Sequence, residues 1–478
     1  MAWFIFCVAV LISGYFIYGK IIEKIFGPQS ERLTPATQLA DGVDYVAMSD
    51  KKVYLVQLLN IAGLGPIFGP ILGALYGPVA MLWIVLGSIF AGAVHDYFSG
   101  MLSVRADGAS VPTVVGNQLG NFAKHFMNVF AVILLLLVGV VFVLGPAKLL
   151  ASMMHVHVAI WVFAIFSYYI LATIVPIDKI IGRFYPIFGA LLIFMSVGLM
   201  VGLVFSQHLF YNQGLHFTEN LHPKNLPLWP LLFITIACGA VSGFHATQSP
   251  LMARCMKNEK SGRFIFYGAM IAEGVIALIW CTLGLSFYHD TTALNAAIAQ
   301  GGPAAVVHDV STSLLGGVGG ILAILGVVIL PITSGDTAFR SARLIIADFL
   351  KLSQKSLARR LWISIPMFAI GYLITLAQFG VIWRYFGWAN QTTAMIMLWA
   401  AAAYLAKEGK CHWVCSIPAA FMTSVTFTYL AHATIGFNLP MSIATPIGLG
   451  VTVAAMIAFL LKFKNRPIDE VEILKQQR

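Results

Sequence analysis

Inside one apolar stretch the chain gathers Ser242, His245, Thr247, Gln248 and Ser249. Hydroxyl, imidazole and amide groups set among apolar residues are costly unless they face a cavity or a polar partner. His245 can hydrogen-bond a carboxylate and can carry a proton near neutral pH. Gln248 adds a donor and an acceptor in one side chain. The chemistry open to such a set is recognition of a small anion together with proton transfer. The plainer alternative is a structural histidine packed between helices.

A second set lies between Pro331 and Arg340. Thr333, Ser334 and Thr337 offer hydroxyl oxygens and Asp336 a carboxylate. Three readings stand side by side. Hard cations take oxygen ligands, so the set suits a sodium-like ion. Asp336 can equally carry a proton. Asp336 and Arg340, one helical turn apart, can also simply pair. Two more carboxylates, Asp96 (beside His95) and Glu273, fall within apolar segments, where an ionised group needs a partner or a proton. Asp96 equally fits a position at the membrane interface. Arg384, Asn390 and Gln391 lie among Trp383, Tyr385, Phe386 and Trp388. Arg384 can clamp a carboxylate bidentately, although the aromatic residues read more simply as an interfacial belt.

The segments that hold these residues are interrupted. Asn60 to Pro70 includes Gly63, Gly65 and Pro66, and Cys238 to Pro250 includes Gly239 and Gly243. Glycine is entropically costly in a helix and proline removes a donor, so both runs disfavour continuous helix. In lipid, the freed backbone groups must find partners in protein or in a wet cavity. A half-helix N-terminus carries partial positive charge, so the N–H groups around Gly63–Pro66 and Ser242–His245 are expected to meet a substrate carboxylate. A kink packed against neighbouring helices is the alternative. Paired interrupted segments in corresponding halves point to the binding site of a transporter.

Of 478 residues, 59% are hydrophobic and 10% charged, which defines a polytopic membrane protein. Thirteen spans are expected, the first over 3–19 and the last over 441–463, with the breaks in the second (53–76) and seventh (228–250). With the N-terminus outside and the C-terminus cytoplasmic, 26 of the 29 Lys and Arg fall on the cytoplasmic side. That distribution also accounts for the net charge of +10 without nucleic-acid binding. The stretch from Ala2 to Gly19 lacks a basic start and a small-residue cleavage site, so it reads as a retained helix. An offset of five spans between the breaks predicts an inverted repeat: 53–206 as one half and 228–406 as the other, preceded by 1–52 and followed by a two-helix extension, 407–478. Three long loops are expected, Ile21 to Lys52, Gln207 to Asn225, and Tyr288 to Leu314 with a short helix near residues 294–299.

Cys411 and Cys415 with His412, and the loop histidines His208, His216 and His222, match no metal-ligand spacing, so no metal site is expected. There is no P-loop, nucleotide-binding pattern or nucleophile–base constellation. The partners expected are a small-molecule substrate and membrane lipid, with a proton or sodium as coupling ion and no cofactor; nothing specifies an oligomeric state. A membrane-embedded enzyme using His95, Asp96 and Glu273, and a channel or sensor, are the competing classes.

Leu58–Gly73, Gly100–Gly116, Gly239–Arg254, Ser334–Leu344 and Trp383–Gln391 resemble the carbon starvation protein A (CstA) family over residues from about 30 to 400. The resemblance implies a secondary transporter of the inner membrane that imports pyruvate or short peptides during carbon limitation, with proton symport favoured over sodium coupling. It also implies kinship with the broken-helix amino-acid transporter superfamily and its LeuT-like fold of two five-helix repeats. In that superfamily the eighth core helix lies against the first and the pair hosts a sodium site; Thr333 to Thr337 fall on the eighth span counted from the first break.

Overall fold

The computed structural model describes residues 2–42, 45–174, 177–206, 219–354 and 356–463, with backbone alone for 177–186. His208, His216, Lys355 and the tail residues Lys464, Arg466, Lys475 and Arg478 lie outside the described residues. Among the described residues the structure is helical, without strands. Nine helices among the described residues are long and apolar enough to cross a membrane. A tenth crossing is the pair Asp50–Ile61 and Gly65–Tyr76, bent by 48° at the break. Helices satisfy their own backbone polar groups, which is what a chain this apolar requires in lipid.

The helices sort into an inner and an outer set. The most apolar windows of Val79–Arg105 and Glu259–Phe287 are 78% buried, whereas that of Met441–Phe463 is only 17% buried. The outer helices turn large side chains such as Phe163, Ile193 and Leu461 outward. The two inner helices carry Asp96 and Glu273. Each also contains one π turn, Ser88–Gly92 and Arg263–Tyr267. An inserted residue of this kind rotates the face that follows and recurs at functional sites.

Both predicted interruptions are present. In the first, Ala62–Leu64 leaves the helix and Pro66 sits in the first turn of the second half, where a missing N–H leaves no bond unmade. In the second, Leu228–Thr235 ends and residues 236–242 cross to Gly243–Ala253. Gly239 has φ +88°, a conformation that a Cβ would strain.

Two of the expected long loops are more structured than bare connections. The segment from Tyr288 to Leu314 is mostly helical: Thr291–Gly301 is one helix, and a second starts at Pro303 and bends at Gly316, φ +66°. The run from Ala304 to Leu315 contains no Gly or Pro to stop it. The segment after Ile21 is fastened down. Glu259, fully buried, accepts from Gln29 N–H at 2.9 Å and from Arg105 Nε at 3.2 Å. Thr34 Oγ1 donates to Met256 O at 2.5 Å.

His222 is not solvated: its ring packs on Tyr76, centroids 4.7 Å apart, and its Nδ1 accepts from Lys224 N–H at 3.1 Å. Burial, and then the Lys224 charge, hold its pKa below the ordinary value. The unfolded chain therefore protonates first, so the stability this seat supplies is complete above the ordinary histidine pKa and is lost as pH falls through the folded value. The protection factors of the amides in residues 219–225, taken relative to the intrinsic exchange rate at each pH, are expected to fall on acidification from pH ~7.5 to ~5. Unchanged protection would mean that His222 does not anchor the loop.

Candidate functional site

The breaks bring their residues together by packing against each other. A Cβ on Gly65 would lie 2.2 Å from Cys238 Cβ, and one on Gly239 would lie 3.5 Å from Pro66 Cα. Gly63 faces the Phe142 ring, which a Cβ would meet at 2.5 Å. The small residues expected to admit a substrate thus also let one interrupted helix contact the other.

Gly243–Ala253 begins at Ser242, whose backbone is extended and whose side chain caps nothing. The cap comes from another helix. Asn390, on Phe379–Lys407, accepts from Phe244 N–H through Oδ1 at 2.7 Å and donates from Nδ2 to Ser242 Oγ at 3.2 Å. His245 N–H bonds Ser242 O at 3.3 Å. Two of the backbone donors assigned from sequence to a substrate carboxylate are therefore engaged within the protein.

His245 lies in the first turn of this half-helix and not in the unwound segment. Its imidazole bridges the two inner helices. Nδ1 is 2.8 Å from Asp96 Oδ2, and Nε2 is 3.2 Å from Glu273 Oε2. His95 Nδ1 lies 2.8 Å from the other Asp96 oxygen. All four side chains are fully buried. Ser99 and Ser249 hydroxyls join beside them at 3.2 Å. Cys238 Sγ lies 3.2 Å from Ser242 Oγ and accepts from Asn390 Nδ2 at 3.6 Å. With one carboxylate on each imidazole nitrogen, a proton can pass between Asp96 and Glu273 through His245. Groups this close titrate as one coupled unit.

The other predicted residues lie elsewhere. Gln248 Nε2 donates to Thr247 Oγ1 at 3.1 Å, while its Oε1 is buried without a hydrogen bond among the described residues. Gln391 turns to the first half-helix of its pair and donates to Phe233 O at 2.8 Å. Ser334 Oγ donates to Leu59 O at 3.1 Å, so this helix does lie against the first interrupted one. Thr333 and Thr337 bond carbonyls of their own helix. Asp336 pairs with Arg340 at 3.5 Å, in a recess with Arg343 and Thr173. Arg384 donates to Gly380 O and lies away from the cluster at an exposed helix face.

Sequence reasoning singled out Asp96, His245 and Glu273 but not their union, since they are far apart in the chain. It passed over Cys238, which lies beside this cluster, and Gln57 altogether. Gln57 is fully buried on the first half-helix, and neither amide atom has a hydrogen-bond partner among the described residues. A glutamine inside an apolar helix one turn before the break was the available signal.

Two interrupted helices meeting at a buried titratable cluster, within a bundle of lipid-length helices, define an integral membrane protein with a transporter's architecture. The fold matches that of a mutant of the manganese transporter of Eremococcus coleocola, with TM-score 0.55, 13% identity, and 89% of this chain and 98% of that one covered. At this identity the likeness concerns the fold alone. The chain belongs to the carbon starvation protein CstA family, which matches residues 1–153, 146–314 and 288–429. The peptide transporter CstA of Escherichia coli K12 is 25% identical over 88% of this chain and 79% of its own length. The pyruvate/proton symporter BtsT of the same strain is 28% identical over 57% of this chain and 47% of its own length.

Proposed function

We propose that this protein is a secondary transporter that imports a small organic carboxylate or a short peptide across the inner membrane by proton symport. The observation that carries this reading is His245 set between Asp96 and Glu273 where the two interrupted helices meet. Two carboxylates and an imidazole, fully buried, approach neutrality by holding protons, and proton number is what a coupling site must change between states. The transporter names of the family's Escherichia coli members support the substrate classes, pyruvate and peptide.

The architecture assigned is thirteen crossings. Val158–Ile174, the pair Leu228–Thr235 and Gly243–Ala253, and Phe379–Lys407 join the ten that pass by length and composition. Residues 53–206 and 228–406 form the two inverted halves, flanked by 1–52 and 407–478, with the N-terminus outside. The matched placement of Asp96 and Glu273, each on the helix after an interrupted one and each following a π turn, supports that symmetry. Substrate sits at the breaks, near Gly63, Gly65, Pro66, Ser242, His245, Gln248, Asn390 and Gln391, and competes with Asn390 for Phe244 N–H.

Sodium coupling is the second reading. Its supporting observation is Ser334 against the Leu59 carbonyl, with Thr333, Thr337 and Asp336 nearby on the same helix. Proteoliposome uptake of labelled pyruvate and a dipeptide panel, under imposed proton or sodium gradients, tests both. Accumulation driven by protons and abolished by a protonophore is the expected result. Accumulation that follows sodium at fixed pH moves coupling to Ser334, and product formation without net transport refutes a transporter.

A further inference from the structure

We propose that Cys238, His245 and Glu273 form a binding site for a divalent transition metal of the zinc class, with Asp96 as the carboxylate that orients the imidazole. Sγ, an imidazole nitrogen and a carboxylate oxygen of these three lie within 4.8 Å of one another, and all three residues are buried. Zinc bound at ~2.3 Å to sulfur and ~2.0 Å to nitrogen spaces its ligand atoms roughly 3.5 Å apart. The set therefore closes on a metal when its ligand atoms draw together by up to about 1.3 Å. Three protein ligands leave one position of a tetrahedron open. Thiolate with imidazole favours zinc or cobalt over magnesium, calcium or manganese, which prefer oxygen.

A second observation points the same way. Among the described residues, His245 Nε2 and both Glu273 oxygens lack a hydrogen bond of good geometry, although Nε2 stands 3.2 Å from Oε2 and the Gly239 backbone approaches the same carboxylate. Buried polar atoms left this way need a partner, and these converge on one spot. The surroundings are those of a metal ligand's outer shell. Asp96 Oδ2, 2.8 Å from Nδ1, holds the tautomer whose Nε2 lone pair faces inward, and His95 in turn holds Asp96. Asn390 Nδ2 donates to the sulfur. A divalent ion with one thiolate, one carboxylate and a neutral imidazole is charge-balanced, and its binding releases the protons those groups held. Metal and coupling proton thus exclude each other at Glu273 and Nε2; that consequence, unlike the binding itself, rests on the transport reading above.

The test is a cobalt titration of the purified full chain in detergent, with neither substrate nor gradient, so it is independent of whether transport is observed. One Co²⁺ per chain is expected, with the intense visible bands of a four-coordinate site and a near-ultraviolet thiolate-to-cobalt band, all erased by Zn²⁺. A variant keeping Cys238 as its single cysteine should retain that band, and Cys238→Ser should lose it. Asp96→Asn should weaken binding by ~10–100-fold, the usual effect of removing an outer-shell carboxylate. Cobalt bound without a thiolate band, or a thiolate band that survives Cys238→Ser, overturns the proposal. If Cys238→Ser does not yield folded protein, the single-cysteine variant decides alone.

Discussion

Glu273→Gln is expected to abolish proton-driven accumulation of substrate while leaving exchange of labelled for unlabelled substrate in place. Gln matches Glu in shape and keeps a polar group where Glu273 Oε2 stands, 3.2 Å from His245 Nε2, but it cannot take up or release a proton. A membrane potential of ~100 mV is worth about 2.3 kcal/mol per charge, and 1.36 kcal/mol is a tenfold ratio. One coupled proton therefore sustains roughly 50-fold accumulation of a zwitterionic dipeptide, whereas a monocarboxylate carried with one proton moves no net charge and gains about tenfold per unit of pH difference. For either substrate the variant should fall to no more than equilibration. Exchange survives because it needs no net proton movement. Asp96→Asn should act alike, since Asp96 holds the other imidazole nitrogen at 2.8 Å. If Glu273→Gln still accumulates substrate under an imposed proton gradient, the cluster is structural and coupling belongs to the helix bearing Asp336.

What could be read from the chain was local. Gly63, Gly65, Pro66, Gly239 and Gly243 announce interrupted helices because backbone geometry acts on near neighbours. The apolar runs announce lipid-length helices for the same reason. The union of Asp96, His245 and Glu273 was not legible. It depends on the way two inner helices pack on either side of a half-helix, which no local periodicity encodes. Asp96 and His245 are ionisable groups in apolar segments, so each could be suspected singly. The Asn390 cap was hidden too, because a polar residue that supplies another helix's missing cap looks the same in sequence as one that binds a ligand. Between Tyr288 and Leu314 the sequence points to an external loop with one short helix near residues 294–299, whereas the structure has Thr291–Gly301 and a second helix from Pro303. The segment's lack of glycine and proline after Pro303 was the better guide.

Gly65 is where local and long-range requirements meet, and Gly65→Ala should force the two breaks apart. The added carbon would stand 2.2 Å from Cys238 Cβ and 2.4 Å from its Sγ. Neither is the far end of a flexible side chain, so one break must move away from the other. Overpacking of this kind typically costs about 1–3 kcal/mol. Here the displacement also carries Cys238, Ser242 and the Asn390 contacts with it. Lowered thermal stability in detergent and loss of uptake are both expected, and Gly65→Val should be worse. Cys238→Gly removes the two atoms in the way, so Gly65→Ala combined with Cys238→Gly should be more stable than the sum of the single changes by about 0.5–3 kcal/mol, the range found for residues in contact. Additive single and double variants would mean that the interrupted helices do not touch at this point. In that case Gly65 would be kept free of a side chain by something else that approaches its backbone, and a bound substrate, as the sequence alone first implied, becomes the leading alternative.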